Sequence, residues 1–238
     1  MTFTPIPQGT SNWDVPVNAA LVDQDGRIDT NAAAIAVTNN SLTTTNGNVA
    51  SNTSNISALQ ALTNTLDWQP VDHGIKAWTQ DPAGCGSTGS INTSGVIYLS
   101  KVILRAPASI SNLYVTVTAG GSTLTAGQNL VGLYNSSGTK LVEGADQTTP
   151  FATAGTKTIA ITTQNLAAGS YYIAIMSNGT TPATFMRGNG ASGSAINIGL
   201  ANSVGRFLDF GAGQTSLPSS ITLSSASQNA SARWAAMN

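Results

Sequence analysis

The sequence has few charged residues. Only 8% of its 238 residues are charged, against about a quarter in an ordinary soluble domain. Ser, Thr, Asn and Gly must therefore solvate the surface. The formal net charge is −1 and the Lys and Arg residues are not clustered along the chain, so there is no electrostatic footprint for nucleic acid or for an anionic membrane. We predict neither as a partner.

Cysteine and histidine are almost absent as well. Cys85 is the only cysteine and His73 the only histidine, which excludes an internal disulfide and leaves too few ligands for a zinc site. His73 has no nucleophile motif near it, and we expect it to be a packing residue. We predict no metal, no cofactor and no enzymatic activity. A polysaccharide hydrolase with paired carboxylates stays a minor alternative, since six carboxylates follow residue 66: Asp67, Asp72, Asp81, Glu143, Asp146 and Asp209.

Long apolar runs are missing too. No stretch approaches 18 apolar residues, and the first ten residues lack the basic start and apolar run of a signal peptide. We therefore expect the chain to be made in a cytoplasm and not exported by a secretion signal. A role outside the cell then needs another carrier, such as release of a virus particle by lysis.

Aliphatic residues recur every seven positions in the polar segment 21–66. They are Leu21, Ile28, Ile35, Leu42, Val49 and Ile56, and three residues further on the second core position holds Asn31, Thr38, Thr45, Asn52 and Leu59. The spacing predicts a coiled-coil seam in which aliphatic and polar layers alternate. The competing interpretation, a flexible polar linker, gives no reason for a heptad.

Helix propensity opposes this helix in an isolated chain. Of the 39 residues from Ile28 to Leu66, 21 are Ser, Thr, Asn or Gly, which sums to about 10 kcal/mol against helix. Six buried aliphatic side chains, at about 1.5–3 kcal/mol each, are of the size needed to offset that cost. Asn and Thr would be under-satisfied in a two-stranded seam, whereas three strands leave a small polar cavity for water or an ion. We therefore predict a homotrimeric stalk.

The segment before the stalk, residues 1–20, carries prolines at positions 5, 7 and 16. Proline disfavours helix before Val17. A tryptophan in a short polar arm needs a surface to pack on, so the arm is either a frayed terminus or a docking peptide. Trp13 and Asp14, followed by a helix start at Pro16, favour docking to a larger assembly.

The third part, residues 67–238, is predicted to be an all-β head domain. Eight short apolar runs separated by Gly, Ser, Asn and Pro predict a sandwich of eight to ten strands, with a turn at Asn135–Gly138. The runs cover residues 96–106, 110–118, 129–135, 139–144, 156–163, 170–177, 205–210 and 232–238. In the second run, alternation places Leu113, Val115 and Val117 on one face of the strand and Tyr114, Thr116 and Thr118 on the other. The fold class is mainly β with an N-terminal helix, and the head is expected to be jelly-roll-like.

Two sets of segments resemble known families. The Asn-containing layers around Ile28–Ile35 and Val49–Ile56 resemble the polar-core repeats of trimeric fibre stalks in autotransporter adhesins and phage fibres. That resemblance implies an anion held by a ring of Asn52, and less firmly by Asn31. The segments "PIPQGTSNWDVPVNAAL", "STLTAGQNLVGLYNSSGTKL", "LAAGSYYIAIMSNGTTPA" and "GQTSLPSSITLSS" resemble minor tail and fibre proteins of phages infecting actinobacteria.

The resemblance implies a surface-exposed virion protein that docks by its N-terminus to another phage structural protein. We expect the head to attach to host cell-wall glycan, with a decoration fibre lacking a receptor as the alternative. Trp78, Asp81 and Arg187 are the candidate glycan contacts. For Trp78 we favour a different role, as the first residue of the sandwich core.

Overall fold

The structure, a computed structural model, describes residues 14–64, 68–188 and 193–238. The chain divides into two compact units, Met1–Asp67 and Trp68–Asn238. In agreement with the sequence, the described residues are mainly β with one long N-terminal helix.

The first unit contains one helix, α1 (Asp14–Asn64), of 51 residues. At 1.5 Å per residue it is about 75 Å long. It begins earlier than expected, and the predicted boundary between arm and stalk at residue 20 lies inside it. Pro16 is its third residue, and a first-turn N–H has no intrahelical partner, so proline costs nothing there. No described helix is long and apolar enough to cross a membrane.

The described part of the second unit contains twelve strands, two four-residue α-helices and four short 3₁₀ helices. The α-helices are α2 (Thr148–Phe151) and α3 (Gly193–Ile196). The strands are β1 (Ala77–Trp78), β2 (Cys85–Ile91), β3 (Ile97–Leu104), β4 (Ala108–Ala119), β5 (Ser122–Asn135), β6 (Lys140–Glu143), β7 (Gly155–Leu166), β8 (Gly169–Thr181), β9 (Thr184–Gly188), β10 (Phe207–Phe210), β11 (Ser227–Gln228) and β12 (Ala235–Met237).

The strands form two antiparallel sheets of six strands each. Sheet I has the order β1-β12-β4-β9-β2, and β7 also pairs with β4. Sheet II has the order β11-β10-β3-β8-β5-β6. Because β7 occupies one side of β4 along most of its length, β12 and β9 share the other side.

One hydrophobic cluster takes side chains from both sheets, which is the layered arrangement of a β-sandwich. Leu113, Val115 and Val117 of β4 are almost completely buried in it, as their alternation predicted. Val131 of β5 and Ile173 of β8 meet them from sheet II. The core of this unit is therefore complete within one chain.

A second cluster covers the outer face of sheet II. Tyr134 and Tyr172 pack there with Leu217 and Ile221 from the segment 211–226. The Tyr134 hydroxyl donates to the Pro218 carbonyl at 2.6 Å. This layer covers part of the outer face of sheet II.

The structure contains more strands than the eight to ten expected. All eight predicted runs form strands, but β1, β2, β9 and β11 were not predicted. Two of them have only two residues, and β2 (CGSTGSI) has no apolar alternation. The expected role of Trp78 is also wrong: Ala77 enters the core, whereas Trp78 is half-buried and faces outward.

The predicted turn at Asn135–Gly138 is present, and its glycine is doubly constrained. Gly138 has φ +83°, and a Cβ there would lie 2.0 Å from the Ile221 carbonyl oxygen. Gly127 has φ +77° with nothing within 4 Å of a Cβ. Substituting each glycine in turn therefore separates the energetic cost of backbone strain from the cost of steric overlap.

We predict that Gly138→Ala lowers the free energy of unfolding by at least about 2 kcal/mol more than Gly127→Ala. Both variants incur the left-handed backbone cost of about 1–2 kcal/mol, but only Gly138→Ala forces the 211–226 segment away. Denaturant unfolding of the full chain measures the difference. Equal losses for the two variants would contradict the steric account.

Candidate functional site

The aliphatic residues of the predicted seam lie along α1 without any apolar cover. Every side chain from residue 26 to residue 60 is exposed in the single chain. Leu21 is partly exposed, and the exposed fractions of the other six lie between 55% and 62%: Ile28, Ile35, Leu42, Val49, Ile56 and Leu59. An exposed and regular apolar stripe of this kind is typical of an interaction surface.

Many of the polar side chains of α1 are satisfied by the helix itself. Nine Ser and Thr hydroxyls in its described part donate to the carbonyl oxygen four residues earlier, at 2.8–3.1 Å. Thr38 and Thr45, at the second core position, are among them. Their hydroxyls therefore need no partner from another chain, and their methyl groups remain for packing.

The asparagines of the seam differ from the threonines. Asn31 and Asn52 are exposed, and within the described residues of the chain their amide groups make no hydrogen bond. Each amide thus keeps donors and acceptors for a group outside this chain. Whether that group is an ion, as the resemblance implies, stays a prediction.

The predicted docking residues lie at the edge of the described structure. Trp13 is outside the described residues. Asp14 is the first residue of α1, and Pro16 lies in its first turn. Docking by residues 1–20 stays a prediction.

Three aromatic rings form a row at the start of the second unit. The His73 ring lies edge-on to Trp68 at 5.6 Å and to Trp78 at 5.2 Å, measured between ring centroids. Trp68 is 65% exposed. His73 therefore packs between two tryptophans, as a packing residue would.

Trp78 forms one wall of a groove on the outer face of sheet I. The groove has a volume of about 360 Å³ and is also lined by Tyr114, Trp234 and Met186, with the Thr116 and Thr156 side chains beside them. Ala236 lies between Trp78 and Tyr114 in the strand register, so a small residue separates the two rings. Aromatic walls with hydroxyl groups at the rim suit a sugar ring.

A second cavity, of about 250 Å³, lies on the other side of Trp78. Lys101, Ile103 and Arg105 line it from β3 and the residue after it, and Arg206 lines it from the segment before β10. Gln69 and Gln80 add amide groups. We name it the basic cavity, because its lining carries three cationic side chains and no carboxylate.

The other two candidate glycan contacts have different positions. Asp81 borders a third cavity, of about 380 Å³, which it shares with Gln80 and Arg206, and its carboxylate accepts from the Ala83 N–H at 2.8 Å. Arg187 lines none of the three cavities. Its Nε atom is buried without a hydrogen-bond partner among the described residues, and its strand neighbour is Arg233.

The described carboxylates of the second unit each bind a local group. Asp72 accepts from the Gln69 N–H at 2.8 Å, and Glu143 pairs with Lys140 at 2.7 Å. Asp67 lies outside the described residues. These contacts offer no pair of the kind that a hydrolase uses.

The remaining two carboxylates have shifted pKa values with structural causes. Burial raises the pKa of Asp209, which accepts from Asn229. Burial alone would raise the pKa of Asp146, but hydrogen bonds from Thr148 and from the backbone N–H groups of Gly127, Asn129 and Thr148 lower it. Both side chains fix loops in place.

Metal and thiol chemistry find little support among the described residues. They include no group of three or more His, Cys, Asp or Glu side chains that could hold a metal ion. Burial raises the pKa of the Cys85 thiol, and a thiol with a raised pKa is a poor nucleophile. That the chain is not an enzyme stays a prediction.

Comparisons with known proteins return no match: no family model, no curated protein and no solved structure is similar to this chain.

Sequence reasoning missed most residues of the two cavities beside Trp78. Lys101 and Arg105 lie four apart within the predicted run 96–106, a spacing that puts side chains on the same face of a strand, so this pair could have been predicted from the sequence. The alternation of its strand predicts the outward position of Tyr114, but it gives no sign of a binding site there. Arg206 and Trp234 join the site only through the fold.

Proposed function

We propose that this chain is a phage virion protein, a homotrimeric fibre or spike that attaches to glycan on the host cell surface. In this proposal α1 forms a parallel three-stranded coiled coil, and the second unit is a jelly-roll-like head. Residues 1–20 dock to another structural protein of the particle. The single observation that carries the proposal is the exposed heptad stripe of α1.

The energy balance of α1 supports association. Its many Ser, Thr, Asn and Gly residues cost about 10 kcal/mol against an isolated helix. Burying six aliphatic side chains contributes about 1.5–3 kcal/mol each. A single copy of α1 leaves this apolar surface in water, whereas a bundle removes it. Association is thus the source of stability for this unit.

The polar layers support three strands rather than two. The Thr38 and Thr45 hydroxyls are hydrogen-bonded within their own helix, so they are compatible with a coiled coil of two or three strands. Asn31 and Asn52 keep free amides, which need water, an ion or one another in the core. Three strands leave room at the axis for such a group. From Thr30 to Leu66 no residue is charged, so these layers must set register without flanking ion pairs.

Attachment to a glycan is supported by the groove beside Trp78. Two tryptophans and a tyrosine line it, and it lies on sheet I, whereas a packed layer covers the outer face of sheet II. Sugar sites on single domains are commonly weak. Three sites on one trimer raise the effective affinity by about 10²–10⁴ without any new contact.

We predict that Asn52→Ile raises the thermal stability of the full chain and loosens its register or oligomeric state. The change replaces a buried polar layer with an aliphatic one, which usually stabilises a seam and removes its specificity. Thr45→Val is the matched control, because it removes a hydroxyl already bonded within its helix and should keep the trimer. Calorimetry and sedimentation measure both effects, and a sharp loss of stability in Asn52→Ile would contradict the interpretation.

We predict saturable binding of the fluorescently labelled full chain to cells of a susceptible actinobacterial host, with competition by soluble cell-wall glycan. Leu42→Asp, which places a charge in the seam, should weaken cell binding at least about tenfold because avidity is lost. Thr44→Asp adds the same charge two positions away and should bind normally.

Absence of binding across several hosts would contradict attachment and favour a decoration fibre. Equal binding by Leu42→Asp and the unchanged protein would contradict the avidity of a trimer.

A further inference from the structure

The basic cavity concentrates the positive charge of a chain that has very little. Three of the nine Lys and Arg side chains of the sequence line its 250 Å³ volume: Lys101, Arg105 and Arg206. The residues that line it include no Asp or Glu. Three cationic side chains around one small cavity create a local positive field that favours an anion.

Two of the three cationic groups are held in place by neutral partners. The Lys101 ammonium donates to the Val204 carbonyl and lies 5.2 Å from the centre of the Tyr172 ring. The Arg206 guanidinium donates to the Thr79 carbonyl at 3.2 Å. These contacts orient the side chains but leave their charge uncompensated. No carboxylate of the described residues forms an ion pair with them.

Lys101 is also partly withdrawn from water. Burial lowers its pKa below the usual value for lysine. A desolvated ammonium gains more from an anion than an exposed one does, because its field is less screened. The cavity therefore favours a negatively charged ligand over a neutral one.

Trp78 connects this cavity with the aromatic groove, since its side chain lines both. We propose that the two together bind an acidic glycan, with a sugar ring in the groove against Trp78 and its phosphate or carboxylate group in the basic cavity. The cavity is smaller than the roughly 300–1,000 Å³ of sites for drug-sized ligands, which suits a single substituent. Guanidinium groups match both anions with paired hydrogen bonds.

This inference rests on the proposed attachment to host glycan and names its chemical class. It requires that negative charge on the polysaccharide, and not only its sugar rings, contributes to binding. It also assigns a role to Lys101, Arg105 and Arg206.

The test is a ligand-observed NMR titration of the full chain with glucose, glucuronic acid, glucose 6-phosphate, inorganic phosphate and a short DNA oligonucleotide. We expect one of the two acidic sugars to bind at least about tenfold more tightly than glucose, the gain of one charge-assisted hydrogen bond. Which of them binds more tightly identifies the anion as carboxylate or phosphate. Added salt should weaken the binding.

Variants assign the binding to the cavity. Arg105→Gln should weaken binding of the preferred acidic sugar at least about fivefold, because it removes one of the three cations of the basic cavity. The change should cost little stability, since the Arg105 guanidinium is exposed and has no partner among the described residues. The double variant Arg105→Gln/Arg206→Gln should bind the acidic sugars no more tightly than glucose. Arg27→Gln, which removes the same charge from α1, is the matched control and should bind normally. Trp78→Ala should weaken the acidic sugars and leave inorganic phosphate unaffected.

Several results would overturn the inference. They are equal binding of glucose and the acidic sugars, binding of DNA more tightly than either acidic sugar, and an acidic preference that persists in the double variant. If inorganic phosphate binds as tightly as glucose 6-phosphate, the sugar ring contributes nothing, and Trp78 has no role in binding. If the full chain still attaches to host cells in any of these cases, attachment stands and only the acidic-glycan inference fails.

Discussion

The aliphatic stripe of α1 has no apolar cover within the described part of its own chain, and this constraint governs the architecture that we propose. Every side chain from residue 26 to residue 60 is exposed in a single copy. Helix propensity alone cannot hold such a segment, since Ser, Thr, Asn and Gly dominate it. In the proposal, other copies of the chain supply that cover, and oligomerisation is a condition of the folding of α1.

The β unit has the opposite character. Two six-stranded sheets share one cluster of buried side chains, and the segment 211–226 covers part of the outer face of sheet II. Its described residues therefore bury their main apolar cluster within a single chain. The aromatic groove on sheet I and the basic cavity beside it are the surfaces that we propose for recognition, and Trp78 belongs to both.

The two units also differ in how they use polar residues. In α1, hydroxyl groups bond back to the helix, so that Thr behaves as a small apolar residue with its polarity satisfied. Asparagine cannot do this in the same way, and Asn31 and Asn52 keep their amides for external groups. In the β unit, carboxylates and amides fix loops, and three cations gather at one cavity without neutralisation.

Parts of this structure could be predicted from the sequence because they rest on local periodicity. The heptad indicated α1, and the alternation of Leu113, Val115 and Val117 indicated both the strand and its buried face. Strand β2 was missed because Gly and Ser give no alternation, and its place is set by pairing with β9.

The basic cavity could not be predicted for a different reason. Lys101 and Arg206 are more than 100 residues apart, and only sheet pairing between β3 and β10 brings their segments together. The early start of α1 reflects a third cause, since Pro16 is tolerated in the first turn although it excludes helix elsewhere.

The mass of the full chain in solution tests the central claim most directly. Sedimentation equilibrium over a range of micromolar concentrations should give three times the 24.2 kDa mass of one chain, with α1 helical by circular dichroism. A mass of 24.2 kDa at those concentrations, with α1 still helical, would contradict the account, because the helix would then be stable without any partner for its stripe.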